Sequence, residues 1–149
     1  MDLQTYLQFS QDLAEIVQSV EPDQLHVPVA EDKWTVFQLL QHITDSEIVY
    51  FRRIKRVLVE DNPQLLKWHP TEWIAMEPAD LDVSVNLAIV KGVRTKLYNI
   101  LSVLAESDWQ RPVVHPRYGP MDLASLVRQQ VDHATGHLTA IRQFANDMQ

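Results

Sequence analysis

Two histidines that could bind a metal ion lie four residues apart near the C-terminus. His133 and His137 stand in the stretch VDHATGHLTAIRQ, and residues spaced this way project from the same face of a helix. Their imidazole nitrogens could hold a divalent ion at roughly 2.1 Å. The spacing alone is weak evidence, because six histidines occur in 149 residues. An inward-facing histidine is also more often a hydrogen-bonded core residue than a metal ligand.

Further polar side chains interrupt the apolar faces of the helices that would carry such a site. In the last predicted helix the apolar residues recur at alternating spacings of four and three, and Gln130 and His137 occupy two positions of that series. In an earlier helix, Glu47 occupies such a position and His42 lies at the edge of the same face. An unpaired buried polar group costs about 1–3 kcal/mol. These side chains therefore need partners.

A third histidine would complete a metal site that keeps a coordination position open for water or substrate. If the two helices face each other, His42 can join His133 and His137. Three protein ligands and an open position are typical of catalytic metal sites rather than structural ones. Imidazole ligands suit zinc, nickel, iron or copper better than calcium or magnesium. Cysteine is absent, which excludes thiolate ligands and disulfides. From the residues alone, a metal site and a set of structural histidines are equally open.

The composition is that of a soluble globular protein, and it narrows the range of partners. The 46% hydrophobic and 22% charged content fit one domain over residues 1–149. A formal net charge of −7 opposes general binding to nucleic acid, and we interpret the basic cluster RRIKR as a solvated face. The sequence shows no secretory signal and no apolar run of membrane-spanning length. We therefore expect a cytoplasmic protein without nucleic-acid or membrane partners.

Four segments show the periodicity of amphipathic helices, and these must position the candidate ligands. They cover residues 3–20, 36–60, 81–105 and 122–144. Thr35 and Gln38 form the pattern of a capping box before the second. The connections 61–80 and 107–121 are long and rich in aromatic residues, and each could be a functional lid or an irregular flap. The sequence therefore predicts an all-α protein, an antiparallel four-helix bundle with two long aromatic loops.

Two motifs give the chain a resemblance to a known family. KWTVFQLLQHITDSE resembles the Trp-Ser/Thr opening of helix two in the DinB/YfiT-like superfamily. HPRYGPMDLASLVRQQVDHATGHLTAIRQ resembles the last loop and helix of that family, with its His-x-x-x-His-Leu signature. Both occur in the family's order in a chain of this length. The resemblance implies a bundle of DinB/YfiT type in which His42, His133 and His137 hold a divalent metal ion.

The resemblance also implies a function. It points to a divalent-metal-dependent enzyme acting on a small-molecule substrate, a thiol S-transferase or a hydrolase, in which the ion lowers the pKa of a water or thiol nucleophile. Zinc or nickel is the expected ion, with iron or manganese as further options. Bacillithiol, mycothiol or glutathione would be the low-molecular-weight thiol. Relatives often pair, so we expect a homodimer. The rivals are a non-catalytic metal- or ligand-binding bundle and a dimeric interaction protein with structural histidines.

Four further residues could act around the pocket, and none is assigned as catalytic. Glu47 could accept a hydrogen bond from a ligand imidazole and orient it, or it could pair with an arginine; both interpretations stay open. Gln130 could reach the metal site or a neighbouring helix, and we favour the helix. His69 and His115, in the two long loops, could reach the pocket mouth as acid or base, because an ordinary histidine pKa lies near neutrality. Loop histidines are, however, usually solvated.

Overall fold

Four long helices dominate the computed structural model, which describes residues 2–149. The α-helices and strands of this part of the chain are α1 (Leu3–Gln18), α2 (Val36–Val59), α3 (Pro70–Ala75), α4 (Val83–Leu101), β1 (Pro112–His115), β2 (Gly119–Asp122) and α5 (Leu123–Asp147), and short 3₁₀ helices lie at Pro22–Gln24 and Glu106–Gln110. The four helices predicted from periodicity are α1, α2, α4 and α5, and the four-helix bundle is confirmed. Across the described residues, no helix combines the length and the apolar character needed to span a membrane.

Polar side chains cap the first turn of each long helix. Asp2 accepts a hydrogen bond from the backbone N–H of Gln4 at 2.9 Å at the start of α1. Thr35 and Gln38 form the predicted capping box, with both hydrogen bonds at 3.0 Å. Asp82 and Asp122 cap α4 and α5 in the same way. Each cap satisfies a backbone donor that a helix leaves free at its start, so the helices begin within two residues of their predicted positions.

The helices do not follow simple up-and-down order. α1 and α2 each pack against α4 and α5, so they lie diagonally across the bundle. One hydrophobic core joins the C-terminal halves of α1 and α5 to the N-terminal halves of α2 and α4. A second core joins the opposite halves. Neighbouring pairs are therefore antiparallel for α1–α4 and α2–α5, and parallel for α1–α5 and α2–α4.

The parallel arrangement of α2 and α4 explains why the connection between them is long. Because α2 and α4 point the same way, residues 60–82 must return along the bundle, and we call them the crossover. The crossover contains α3 and runs beside β1, where Leu65 N donates to Val114 O at 2.9 Å.

The second long connection is more ordered than predicted. Residues 107–121, for which a functional lid and an irregular flap were both open, contribute to the antiparallel hairpin β1–β2. Gly119 stands at the turn of this hairpin with φ of 75°, a conformation that favours glycine. Strands of four residues are too short for their periodicity to separate them from loop.

Candidate metal centre

Three histidines from two helices converge on one point beneath the crossover. His42 comes from α2, and His133 and His137 come from α5. The Nε2 atom of His133 lies 2.9 Å from Nε2 of His42 and 3.2 Å from Nε2 of His137, and the three ligand atoms lie within 4.8 Å of one another. Two nitrogens bound to one ion at about 2.1 Å would be roughly 3.0–3.4 Å apart. The histidine cluster, as we call these three residues, has the spacing of a metal site.

Hydrogen bonding among the three imidazoles cannot satisfy the cluster. A neutral imidazole nitrogen either donates one proton or offers one lone pair. His133 Nε2 faces two other Nε2 atoms, so it can serve only one of them at a time. A divalent ion would accept lone pairs from all three nitrogens at once. The donor set present therefore fits a metal better than it fits a purely structural role.

Aromatic packing and one hydroxyl orient the imidazoles. The Trp68 ring, from the crossover, lies nearly parallel to His42, at 8° with ring centroids 5.7 Å apart, and Trp34 packs against the same imidazole at 5.0 Å. Ser46 Oγ lies 3.2 Å from His133 Nδ1. If His133 Nε2 binds a metal, Nδ1 carries the proton and donates it to this hydroxyl. Ser46 was missed from the sequence, although it stands one turn after His42 on α2.

Burial keeps the cluster in the form that binds metals. Desolvation, reinforced by the neighbouring imidazoles, lowers the pKa of His42 to about 3. The same two causes lower the pKa of His133 to about 4, and burial also lowers the pKa of His137. All three side chains are therefore neutral at pH 7, with lone pairs available for coordination.

Glu47 and Gln130 belong to a separate buried polar network. The Glu47 carboxylate pairs with the Arg94 guanidinium of α4 and accepts a hydrogen bond from Gln130 Nε2 at 3.1 Å. Tyr6 OH donates to Gln130 Oε1 at 3.0 Å, and Arg94 Nη1 donates to the Tyr6 carbonyl at 3.0 Å. Of the two interpretations of Glu47, the structure shows the arginine pair. Gln130 bonds to residues of two neighbouring helices.

The two loop histidines lie in different surroundings. His69 is exposed just before α3. His115 is buried at the end of β1, where its Nδ1 accepts hydrogen bonds from the backbone N–H groups of Arg117 at 3.0 Å and Tyr118 at 3.2 Å. Burial, together with the charges of Arg53 and Arg117, lowers the pKa of His115. Its imidazole is therefore neutral, with the proton on Nε2.

Two cavities adjoin the histidine cluster. The cationic cavity, of about 600 Å³, reaches His133 and is lined by residues of α2, the crossover and the hairpin, among them Ser46, Tyr50, Arg53, Lys67, Trp68, His115, Arg117 and Tyr118. The apolar cavity, of about 510 Å³, reaches His137 and is lined largely by apolar side chains, among them Trp34, Leu39, Ala140 and Phe144. Both volumes suit small organic molecules. Of the loop histidines, His115 lies in the wall of the cationic cavity.

The chain is similar to known proteins over most of its length. A model of the DinB superfamily matches residues 6–141. A protein of Bacillus mycoides, whose name proposes a metal-dependent hydrolase, is 27% identical over 138 residues, which are 91% of this chain and 80% of that protein. A protein of Bacillus cereus with the same kind of name is also 27% identical over 138 residues, with the same coverage of both chains.

Solved structures share the fold. The structure of YfiT from Bacillus subtilis, which is described as a probable metal-dependent hydrolase with an unusual four-helix bundle topology, gives a TM-score of 0.92 at 23% identity, over 98% of this chain and 85% of that one. The mycothiol-dependent maleylpyruvate isomerase gives a TM-score of 0.71 at 14% identity, over 95% of this chain and 61% of that one. At these identities the likeness concerns the fold alone.

Proposed function

This chain belongs to the DinB superfamily, and we propose that it is a divalent-metal-dependent hydrolase of a small-molecule substrate. The proposal rests on one observation: nitrogens of three histidines lie within 4.8 Å of one another, and one of these histidines, His133, lines a cavity of about 600 Å³. Three ligands leave coordination positions for a substrate and a nucleophile. The metal-dependent hydrolase activity in the names of the Bacillus relatives supports the type of reaction.

The histidine cluster would hold the ion through Nε2 of His42, His133 and His137. A divalent ion there supplies a Lewis acid and lowers the pKa of a water or thiol; zinc or nickel is the ion we expect from an all-imidazole set. With the ion on Nε2, His133 would donate its Nδ1 proton to the Ser46 hydroxyl, which would orient the ring. The Trp68 ring stacks on His42 and would hold that imidazole in its orientation. The cationic cavity receives the substrate beside His133.

Transfer of a low-molecular-weight thiol is the second candidate. Two observations favour it: the fold is shared with a mycothiol-dependent isomerase, and two separate cavities reach the histidine cluster. A thiol and an electrophile could then approach the cluster from different sides. A hydrolase needs only one organic substrate, so the second cavity is the feature that the thiol reaction explains better.

Metal content tests the first part of the proposal. Elemental analysis of protein purified without an affinity tag should find about one divalent ion per chain. His137→Ala should abolish metal binding and leave the helical circular dichroism intact, while His69→Ala, at an exposed position, should keep the metal. Wild-type protein that binds no ion after incubation with zinc or nickel would refute the metal site.

Turnover separates the two reactions from a binding role. Metal-loaded protein would be offered a panel of esters and amides, and separately a panel of electrophiles with bacillithiol, mycothiol or glutathione. Hydrolysis that is lost in His137→Ala supports the hydrolase, and thiol-dependent consumption of an electrophile supports the transferase. Full metal content with no turnover in either panel would favour a non-catalytic bundle.

The homodimer, the single domain and the cytoplasmic location stay predictions. Sedimentation of untagged protein tests the first, because the expected species has twice the mass of the 17.3 kDa chain. A sedimenting species of one chain mass at micromolar concentration would contradict it.

A further inference from the structure

Arg53 of α2 is buried without an ionic partner. It belongs to the basic cluster RRIKR, and the interpretation of that cluster as solvated is wrong at this position, because Arg53 is only 6% exposed. Its neighbour Arg52 is exposed. A buried guanidinium is normally paired with an anion. Among residues 2–149, the ion pairs involve other arginines, and no carboxylate lies within 4.0 Å of Arg53.

The contacts that Arg53 does make leave its charge uncompensated. Nη2 donates a hydrogen bond to the backbone carbonyl of Leu66 in the crossover at 2.9 Å. The guanidinium carbon lies 5.6 Å from the centre of the Tyr50 ring. A guanidinium has five N–H donors, so one carbonyl and one ring use only part of its capacity. Arg53 also lines the cationic cavity, where further donors can meet a bound molecule.

The cavity around Arg53 is lined by cationic and aromatic side chains. Lys67 and Arg117 line it as well, and none of its lining residues is aspartate or glutamate, although the chain has 20 acidic residues and a net charge of −7. Aromatic rings of Tyr50, Trp68 and Tyr118 complete the walls. An anionic group would be drawn to the cations, and an apolar body would pack against the rings.

We propose that Arg53 binds the carboxylate of a small organic acid in the cationic cavity. The planar guanidinium matches a carboxylate through two parallel N–H···O hydrogen bonds. Arg53 and His133 line the same cavity, so a molecule held by its carboxylate can present a second group to the histidine cluster. That placement rests on the proposed function, whereas the binding of the acid does not. The substrate class is therefore a carboxylic acid with a second, reactive group.

The test compares an acid with its neutral counterpart. Calorimetric titration would measure the binding of 3-phenylpropionate, 3-phenylpropanamide and inorganic phosphate. We expect the acid to bind at least 10-fold more tightly than the amide. Arg53→Met should weaken acid binding roughly 10- to 100-fold, the range of a charge-assisted hydrogen bond, and should leave amide binding unchanged. Arg52→Met removes the same charge from the exposed neighbouring position and should change acid binding less than about 2-fold.

His137→Ala separates this inference from the proposed function. Without a bound metal, Arg53 should still discriminate the acid from the amide. If the wild-type protein binds no metal and shows no turnover, the proposed function fails but the anion site does not. If the protein does not discriminate the acid from the amide, the anion site fails but the metal site does not. Acid binding that Arg53→Met does not weaken, equal affinity for acid and amide, or tighter binding of phosphate than of the acid would each overturn the proposal.

The Arg53 variants should fold. Replacing an unpaired buried charge by an apolar side chain of similar length removes a desolvation cost, so Arg53→Met should keep the helical circular dichroism and the metal content. If Arg53→Met does not fold, Arg53→Gln provides the same comparison of acid with amide, because it also removes the charge.

Discussion

Neutralising Glu47 should destabilise the protein strongly without touching the histidine cluster. Glu47 is fully buried, and Arg94 is 1% exposed. In Glu47→Gln, the Arg94 guanidinium keeps its hydrogen bond to the Tyr6 carbonyl at 3.0 Å and its position over the Phe9 ring at 4.3 Å. It loses the one carboxylate partner that it has among residues 2–149. Removing one member of a buried ion pair costs about 3–5 kcal/mol, and we expect a loss of free energy of unfolding in that range.

That loss is large relative to the stability of a single domain. Domains unfold with about 5–15 kcal/mol, and 1 kcal/mol shifts Tm by about 2–4 °C at this chain length, so Tm should fall by roughly 6–20 °C. Urea unfolding followed by far-ultraviolet circular dichroism measures the free energy. Glu47→Leu combined with Arg94→Met should recover part of the loss: it leaves no charge buried, but it removes the hydrogen-bond partners of Gln130 Nε2 and of the Tyr6 carbonyl. Glu60→Gln, in the exposed pair with Arg56, is the matched control and should cost less than about 1 kcal/mol.

Two results would refute this account of Glu47. A loss below about 1 kcal/mol for Glu47→Gln would show that Arg94 is not left as an unpaired charge. A double variant no more stable than Glu47→Gln would show that the cost does not come from burial of charge. Metal content is the third readout: a folded double variant without metal would show that Glu47 acts on the histidine cluster after all.

Three further predictions concern the cluster and the start of α2. Ser46→Ala removes the hydroxyl beside His133 and should weaken metal affinity about 10-fold in competition with a chelator; unchanged affinity would contradict the orienting role. The pKa values of His42 and His133 are lowered to about 3 and about 4, so below pH 6.5 the unfolded chain binds protons that the folded chain refuses. The free energy of unfolding of the metal-free protein should therefore fall by about 2 kcal/mol between pH 7 and pH 5, after allowance for solvent screening. If the urea midpoint falls as steeply with pH when both histidines are changed to Gln, the two histidines are not the cause. Thr35→Ala breaks the capping box and should cost about 1 kcal/mol in urea unfolding, whereas Thr35→Ser should cost little; equal losses would argue against the cap.

The helices and the three converging histidines were accessible from the sequence because each leaves a local signal. Apolar spacing and capping residues mark the helices, and His42 and His137 interrupt or border that spacing. Arg94, the partner of Glu47, leaves the same kind of signal in the sequence of α4. Val83, Leu87, Val90, Leu97 and Leu101 follow the four-three alternation of α4, and Arg94 occupies the position between Val90 and Leu97. A polar residue inside an apolar series on each of two helices predicts a buried pair.

Long-range features could not be read from local pattern. The direction of α4 relative to α2 depends on how the crossover packs, and sequence periodicity is the same for parallel and antiparallel neighbours. Arg53 follows Tyr50 by three residues and precedes Val57 by four, so it borders the apolar face of α2. Its burial depends on the crossover, whose Leu66 carbonyl lies against it. The cationic cavity depends likewise on the crossover and the hairpin meeting above α2.

The distance along the chain between the histidines has a consequence for the order of events in folding. His133 and His137 are neighbours on one helical face, but His42 is separated from His133 by 91 positions. An ion shared by them would tie the second helix to the last one and enclose α3, α4 and the hairpin in a single loop. Closing a loop of this length is entropically costly for an unfolded chain, so α5 alone would offer only a weak two-nitrogen chelate. The metal would then bind late in folding, after α5 has packed against α2. Once bound, it would slow the unfolding of the whole bundle.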